Sequence, residues 1–189
     1  GREVQIVKDE ASRARFRGVV SCKSKFCVRC QKKQRKEKTD DLDNALWAVE
    51  KAGGTIMLGV LTCSNTGLRL RKQLDFLHKV WDLLFKRRPL KRKLEELGYI
   101  GFGRGDDVML TVETRKYHAH IHYALAFKGQ VSEEAEEELR QLVISLWCEL
   151  MGKREVLALE EQQRLERAKG HQETDGAQFK YIAKGVALE

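Results

Sequence analysis

Three histidines at alternate positions, His118, His120 and His122, stand in VMLTVETRKYHAHIHYALAF, residues 108 to 127 of a 189-residue chain. Side chains on a strand alternate between faces, so the three imidazoles share one face while Tyr117, Ala119, Ile121 and Tyr123 share the other. Reversing the chain over Thr114 to Tyr117 lays Val108 to Glu113 antiparallel to the histidine strand. With Val108, Leu110 and Val112 sent to the core beside Ile121, the row of Met109, Thr111 and Glu113 faces the imidazoles. Two imidazoles and a carboxylate within reach of one point suit a divalent cation. A lone His-x-His is more often plain polar sheet surface, but the third histidine and the facing glutamate tip the balance toward a site.

A second cluster lies upstream. Cys22, Cys27 and Cys30 stand at C-x4-C-x2-C in CKSKFCVRC, and two thiolates across a tight turn make half of a tetrahedral zinc site. The spacing predicts a small knuckle holding a structural Zn2+, with Cys63, Cys148, His78 and His171 open as the fourth ligand. Five cysteines, an odd number with three crowded together, fit metal binding in a reducing compartment better than a disulfide framework. Lys23, Lys25, Arg29, Lys32 and Lys33 surround the knuckle. Such a run is often only a solvated face; beside a metal-stiffened turn it becomes a phosphate-contacting, DNA-binding surface.

The elements that must position these groups follow from periodicity. Residues 1 to 18 are polar and basic and predict an arm or edge segment. A helix is expected from Thr39 to Gly53-Gly54, a buried strand over 55 to 65, and an amphipathic helix over 67 to 87 carrying Leu70, Leu74, Leu77, Trp81, Leu84 and Phe85. Pro89 interrupts it, and a short basic helix from Leu90 to Leu97 closes at Gly98. YIGFGR predicts a strand, Gly105-Asp106-Asp107 a hairpin turn. Ser132 predicts the N-cap of a helix reaching Gly152, residues 153 to 170 a charged excursion, and GAQFKYIAKG a last helix with Tyr181 and Lys184 on one face. The division is a basic arm and knuckle over 1 to 38 and one compact unit over 39 to 189.

Composition narrows the partner. Lys and Arg number 36 against 28 Asp and Glu, a formal charge of +8, which favours a polyanion, nucleic acid first and an anionic membrane surface second. No apolar run approaches a membrane span and the start has no apolar signal core, so a soluble cytoplasmic protein with no membrane partner is expected.

Together these pieces resemble the HUH single-strand endonucleases. HAHIH matches their His-hydrophobic-His signature with His120 and His122 as the core pair, and YIAK matches their Tyr-x-x-Lys motif. CKSKFCVRC, the strand ending LTCSNT, the glutamate ahead of the histidine strand and the terminal YIAKG are similar, in order and spacing, to plasmid replication initiators of the rolling-circle type. The resemblance runs from about residue 20 to 189. It implies an α+β fold, a central antiparallel sheet of about five strands with helices packed on one side, like an RNA-recognition palm, plus the zinc knuckle. It implies Mn2+ or Mg2+ on His120, His122 and Glu113, with His118 the alternative third ligand, Tyr181 as nucleophile and Lys184 beside the phosphate. The implied substrate is single-stranded or locally melted origin DNA, and the implied partners are a host helicase and polymerase. Some members carry a water-activating glutamate four residues before the nucleophile, where this chain has Ala177 with Glu173 and Asp175 nearby; others place the tyrosine directly after the lysine, at Gly185 here. Because the chain stops soon after Lys184, a catalytic domain cut from a longer protein is expected. Two alternatives stay open: an HUH transposase or relaxase using the same chemistry, and a non-catalytic, zinc-stabilised nucleic-acid-binding protein.

Overall fold

A computed structural model describes residues 5–8, 14–17, 28–64, 66–111 and 116–170. The chain divides into two compact units, Gly1–Gln34 and Arg35–Glu189. In the first, β1 (Gln5–Lys8) and β2 (Ala14–Arg17) form an antiparallel hairpin, where the sequence pattern leads to an unpaired arm. The helix α1 (Val28–Lys51) begins eleven residues before the expected Thr39, because Lys, Arg, Gln and Glu between 31 and 38 are all good helix formers even though they carry no apolar period. Cys30, Arg29, Lys32 and Lys33 therefore lie on a helix. Cys22, Cys27, Lys23 and Lys25 lie outside the described residues, and the zinc knuckle with them.

The second unit is α+β, built on a four-stranded antiparallel sheet in the order β4-β5-β3-β6. Its strands are β3 (Thr55–Thr62), β4 (Tyr99–Thr111), β5 (Lys116–Phe127) and β6 (Arg164–Arg167). Four strands, and not about five, pair among the described residues. The fourth comes from the stretch expected to be a charged excursion: β6 lies along β3 with Val60 opposite Arg164 and Gly59 opposite Leu165. β4 also departs from expectation. It runs unbroken through Gly105, Asp106 and Asp107, which sit opposite His122, Ile121 and His120 in mid-strand. The turn residues there are overridden by pairing with the long β5.

Alternate positions on each strand decide the two faces. Ala119, Ile121, Tyr123, Leu125 and Phe127 of β5 and Met57 and Leu61 of β3 are buried in the main core. Against them pack α2 (Leu70–Lys86), through Leu77, Val80, Trp81 and Leu84, and α4 (Glu133–Gly152), through Leu139, Val143 and Trp147. A short α3 (Arg88–Glu96) adds Leu90 and Leu94. α4 starts where the sequence predicts, Ser132 Oγ accepting the Ala135 N–H at 3.3 Å. The helices do not all lie on one side, however. Leu42, Leu46 and Val49 of α1 pack with Ile56, Leu58 and Ala124 on the opposite face, and Gly103 makes room for them: a Cβ there would stand 2.7 Å from Leu42 Cδ1. α1 covers one end of that face. The histidines occupy the other.

Candidate metal centre on the open sheet face

His118, His120 and His122 line an open cavity of about 460 Å³ with Asp107, Met109, Val60 and Thr62, and Arg164 stands at its rim. The strand registers explain the gathering: His120 lies between Thr62 of β3 and Asp107 of β4, and His122 between Val60 and Gly105. Adjacent rings stand 4.4 Å apart for His118 and His120 and 6.4 Å for His120 and His122.

The three imidazoles are not equivalent. His118 Nε2 donates to the Cys63 carbonyl oxygen at 2.9 Å and lies 3.2 Å from Thr62 Oγ1. A carbonyl only accepts, so this nitrogen carries the ring proton. The acceptor is held rigidly, because where the β3 ladder ends Gln163 Oε1 takes the Thr62 N–H and Trp147 Nε1 donates to the Thr62 oxygen, each at 2.8 Å. His118 thus braces the end of β3. His120 Nε2, by contrast, is buried with no hydrogen-bond partner. Burial, and then the neighbouring imidazoles, hold His120 below the usual imidazole range; burial does the same for His122, and Asp107 opposes the shift in both. Both rings are therefore neutral at pH 7, the state in which imidazole ligates a metal. Asp107 Oδ2 lies 3.7 Å from His122 Nε2.

Asp107 does not emerge from the sequence pattern, which assigns it to a turn. The signal that finds it is the alternation of Gly105, Asp107 and Met109 once β4 is continued through the glycines. Glu113, the carboxylate expected here, lies outside the described residues, as do Tyr181, Lys184 and His171. Among the described residues no three His, Cys, Asp or Glu side chains already stand around one point as a metal site. Two neutral nitrogen donors, one of them an unpaired buried atom, and a carboxylate on the same face nevertheless suit a hard or borderline divalent cation.

The other groups singled out for the knuckle are engaged elsewhere. Cys63 is buried in the core, its thiol pushed up to about 11 by burial, and Cys148 packs against the same core with its thiol raised for the same reason. His78 Nε2 lies 2.8 Å from Asp106 Oδ2 on the helix-covered face. No helix among the described residues is long and apolar enough to cross a membrane. No protein-family model matches the chain, and neither a curated protein nor a solved structure is found similar to it.

Proposed function

We propose that this chain nicks single-stranded or locally melted DNA and transfers the strand through a covalent 5′-phosphotyrosine, as an HUH endonuclease that initiates rolling-circle replication of a plasmid. What carries the proposal is His120: a buried Nε2 without a partner, in a neutral ring, flanked on one face by neutral His122 and by Asp107. An unpaired buried polar atom costs about 1–3 kcal/mol, a penalty that a bound ligand removes. Mn2+ or Mg2+ held there would draw charge off a phosphate oxygen and clamp the phosphodiester. His120 and His122 would hold it, with a carboxylate that is Glu113 by resemblance and Asp107 by position.

Tyr181 is the proposed nucleophile. Its phenol gives up a proton, Oη bonds to phosphorus, the bond from phosphorus to the 3′-oxygen breaks, and that oxygen takes a proton to become a free 3′-hydroxyl. One ester replaces another, so the step is reversible and the 3′ end can prime a host polymerase while a helicase unwinds the duplex. Lys184 steadies the phosphate or the tyrosinate. The remaining tyrosines support the choice: of the four in the chain, Tyr99 and Tyr123 pack in the main core and Tyr117 shares the Tyr123 side of β5, away from the histidines. A single available tyrosine favours replication over a transposase or relaxase role. The positive charge and the Arg164 rim suit a strand tracked by its backbone.

The test mixes the protein with a labelled library of single-stranded oligonucleotides and Mn2+, then runs a denaturing gel. Wild type should give a covalent protein–DNA band. Tyr181→Phe should give none while still binding DNA, and His120→Ala should lose the band with its metal. A wild-type protein that binds DNA but never forms the adduct would be a zinc-stabilised binding module, and the nuclease proposal would fall.

A further inference from the structure

β4 is an edge strand of thirteen residues with β5 alone beside it among the described residues. A long edge with apolar side chains is a surface that folded proteins normally cover or guard. Eight large hydrophobic residues are exposed among the described residues, and four of them, Ile100, Phe102, Met109 and Leu110, lie on β4, each more than half exposed. That concentration marks one strand and not a general surface property.

Neither Lys nor Pro, the usual guards, stands on β4; its charges, Arg104, Asp106 and Asp107, gather at the centre. From the register with β5, Phe102, Arg104, Asp106, Val108 and Leu110 share the helix side of the strand, and Gly101, Gly103, Gly105, Asp107 and Met109 share the histidine side. The order of these residues is self-complementary about Gly105. In an antiparallel pair of β4 strands centred there, Arg104 of one copy stands beside Asp106 of the other, Phe102 beside Val108, and Gly103 beside Asp107, with Ile100 and Leu110 meeting at the ends. Shifting the centre to Asp106 sets two carboxylates opposite each other, and shifting it to Arg104 sets two guanidiniums opposite each other. Like charges directly opposed weaken a sheet and opposite charges strengthen it, so Gly105 is the favoured centre.

We propose that the free edge of β4 pairs with β4 of a second copy of this chain, joining two four-stranded sheets into one of eight through a two-fold axis at Gly105. Such an interface is isologous, the same patch meeting itself. The axis is perpendicular to the sheet, which leaves both histidine cavities on one side. Four residues along the strand and three strand spacings across put them about 20 Å apart, so the dimer presents two identical sites to one nucleic acid. The pairing does not depend on what the histidines bind.

The experiment is light scattering on the chromatographed wild-type chain at tens of micromolar, with two variants at exposed positions that leave the core untouched. Wild type should have twice the 21.8 kDa chain mass. Leu110→Lys and Ile100→Glu should each raise the dimer dissociation constant about tenfold or more, with circular dichroism unchanged. Mixing the two variants should restore the dimer, because the carboxylate introduced at position 100 of one chain then meets the ammonium introduced at position 110 of the other while the second contact stays apolar. A monomeric wild type overturns the proposal, as does a dimer that both variants leave intact. A dimer lost in each variant but not regained on mixing overturns the Gly105 register.

Discussion

The two faces of one sheet are built to opposite rules. Behind it, α2 and α4 seal Ile121, Tyr123, Leu125 and Phe127 in a dry core. In front, α1 stops short, and the remaining surface carries three imidazoles, a half-exposed Asp107 and Arg164 around an open cavity. Consecutive residues of β5 serve these two faces in turn. Stability should therefore belong to odd positions of that strand and their partners, and chemistry to even ones.

The sharpest break between the faces is expected at Trp147, fully buried behind the sheet and bonded to the Thr62 carbonyl. Trp147→Ala removes the largest kind of core side chain and leaves that carbonyl without its donor. It should cost about 3–5 kcal/mol, read as a lowered urea midpoint with little change in slope, whereas no single truncation around the open cavity should approach that loss. A loss under about 1 kcal/mol would mean that the helical face is not the main core.

Two neighbouring aspartates sharpen the comparison. Asp106 points behind the sheet, is buried and holds His78; Asp107 points forward and is 46% exposed in its side chain. Asp106→Asn should cost about 1–3 kcal/mol, the range for disturbing a buried hydrogen-bonded group, and leave metal affinity unchanged. Asp107→Asn should stay within about 0.5 kcal/mol of wild type in stability yet weaken Mn2+ binding at least about tenfold in titration calorimetry, as loss of a ligand or its immediate support does. Equal effects on both measurements at both positions would erase the division between faces.

How far this division was legible in the sequence depends on the source of each signal. β5, β3, α2 and the Ser132-capped α4 are readable because local periodicity and burial agree, and the one-sided placement of the histidines needs nothing beyond alternation. β6 is not readable: Arg164-Leu165-Glu166-Arg167 holds one apolar residue, and only the open edge of β3 makes it a strand. Asp107 was hidden by Gly-Asp chemistry that normally means a turn, although the long β5 partner extends the strand through it. The early start of α1 was hidden by cysteines that suggest a knuckle. Local signals thus identify the imidazoles, and tertiary pairing decides which carboxylate joins them.

The smallest expected effect follows from the imidazoles themselves. His120 and His122 both titrate below the ordinary value, chiefly because burial penalises their charged forms. In the unfolded chain each returns to an ordinary value near 6.5, to within about a unit. As pH falls through that value the unfolded chain takes up protons that the folded chain resists, so unfolding becomes easier on acidification; above it both states are neutral and the two histidines contribute no slope. Each can add at most about 1.4 kcal/mol per pH unit, the linkage limit for one proton. Stability measured by urea between pH 7.5 and 5 should therefore fall, and His120→Asn should flatten the fall while abolishing Mn2+ binding. Saturating Mn2+ should steepen it in the wild type, because protons and metal compete for the same nitrogens. A wild-type profile that Mn2+ leaves unchanged would separate the titrating face from the metal proposed for it.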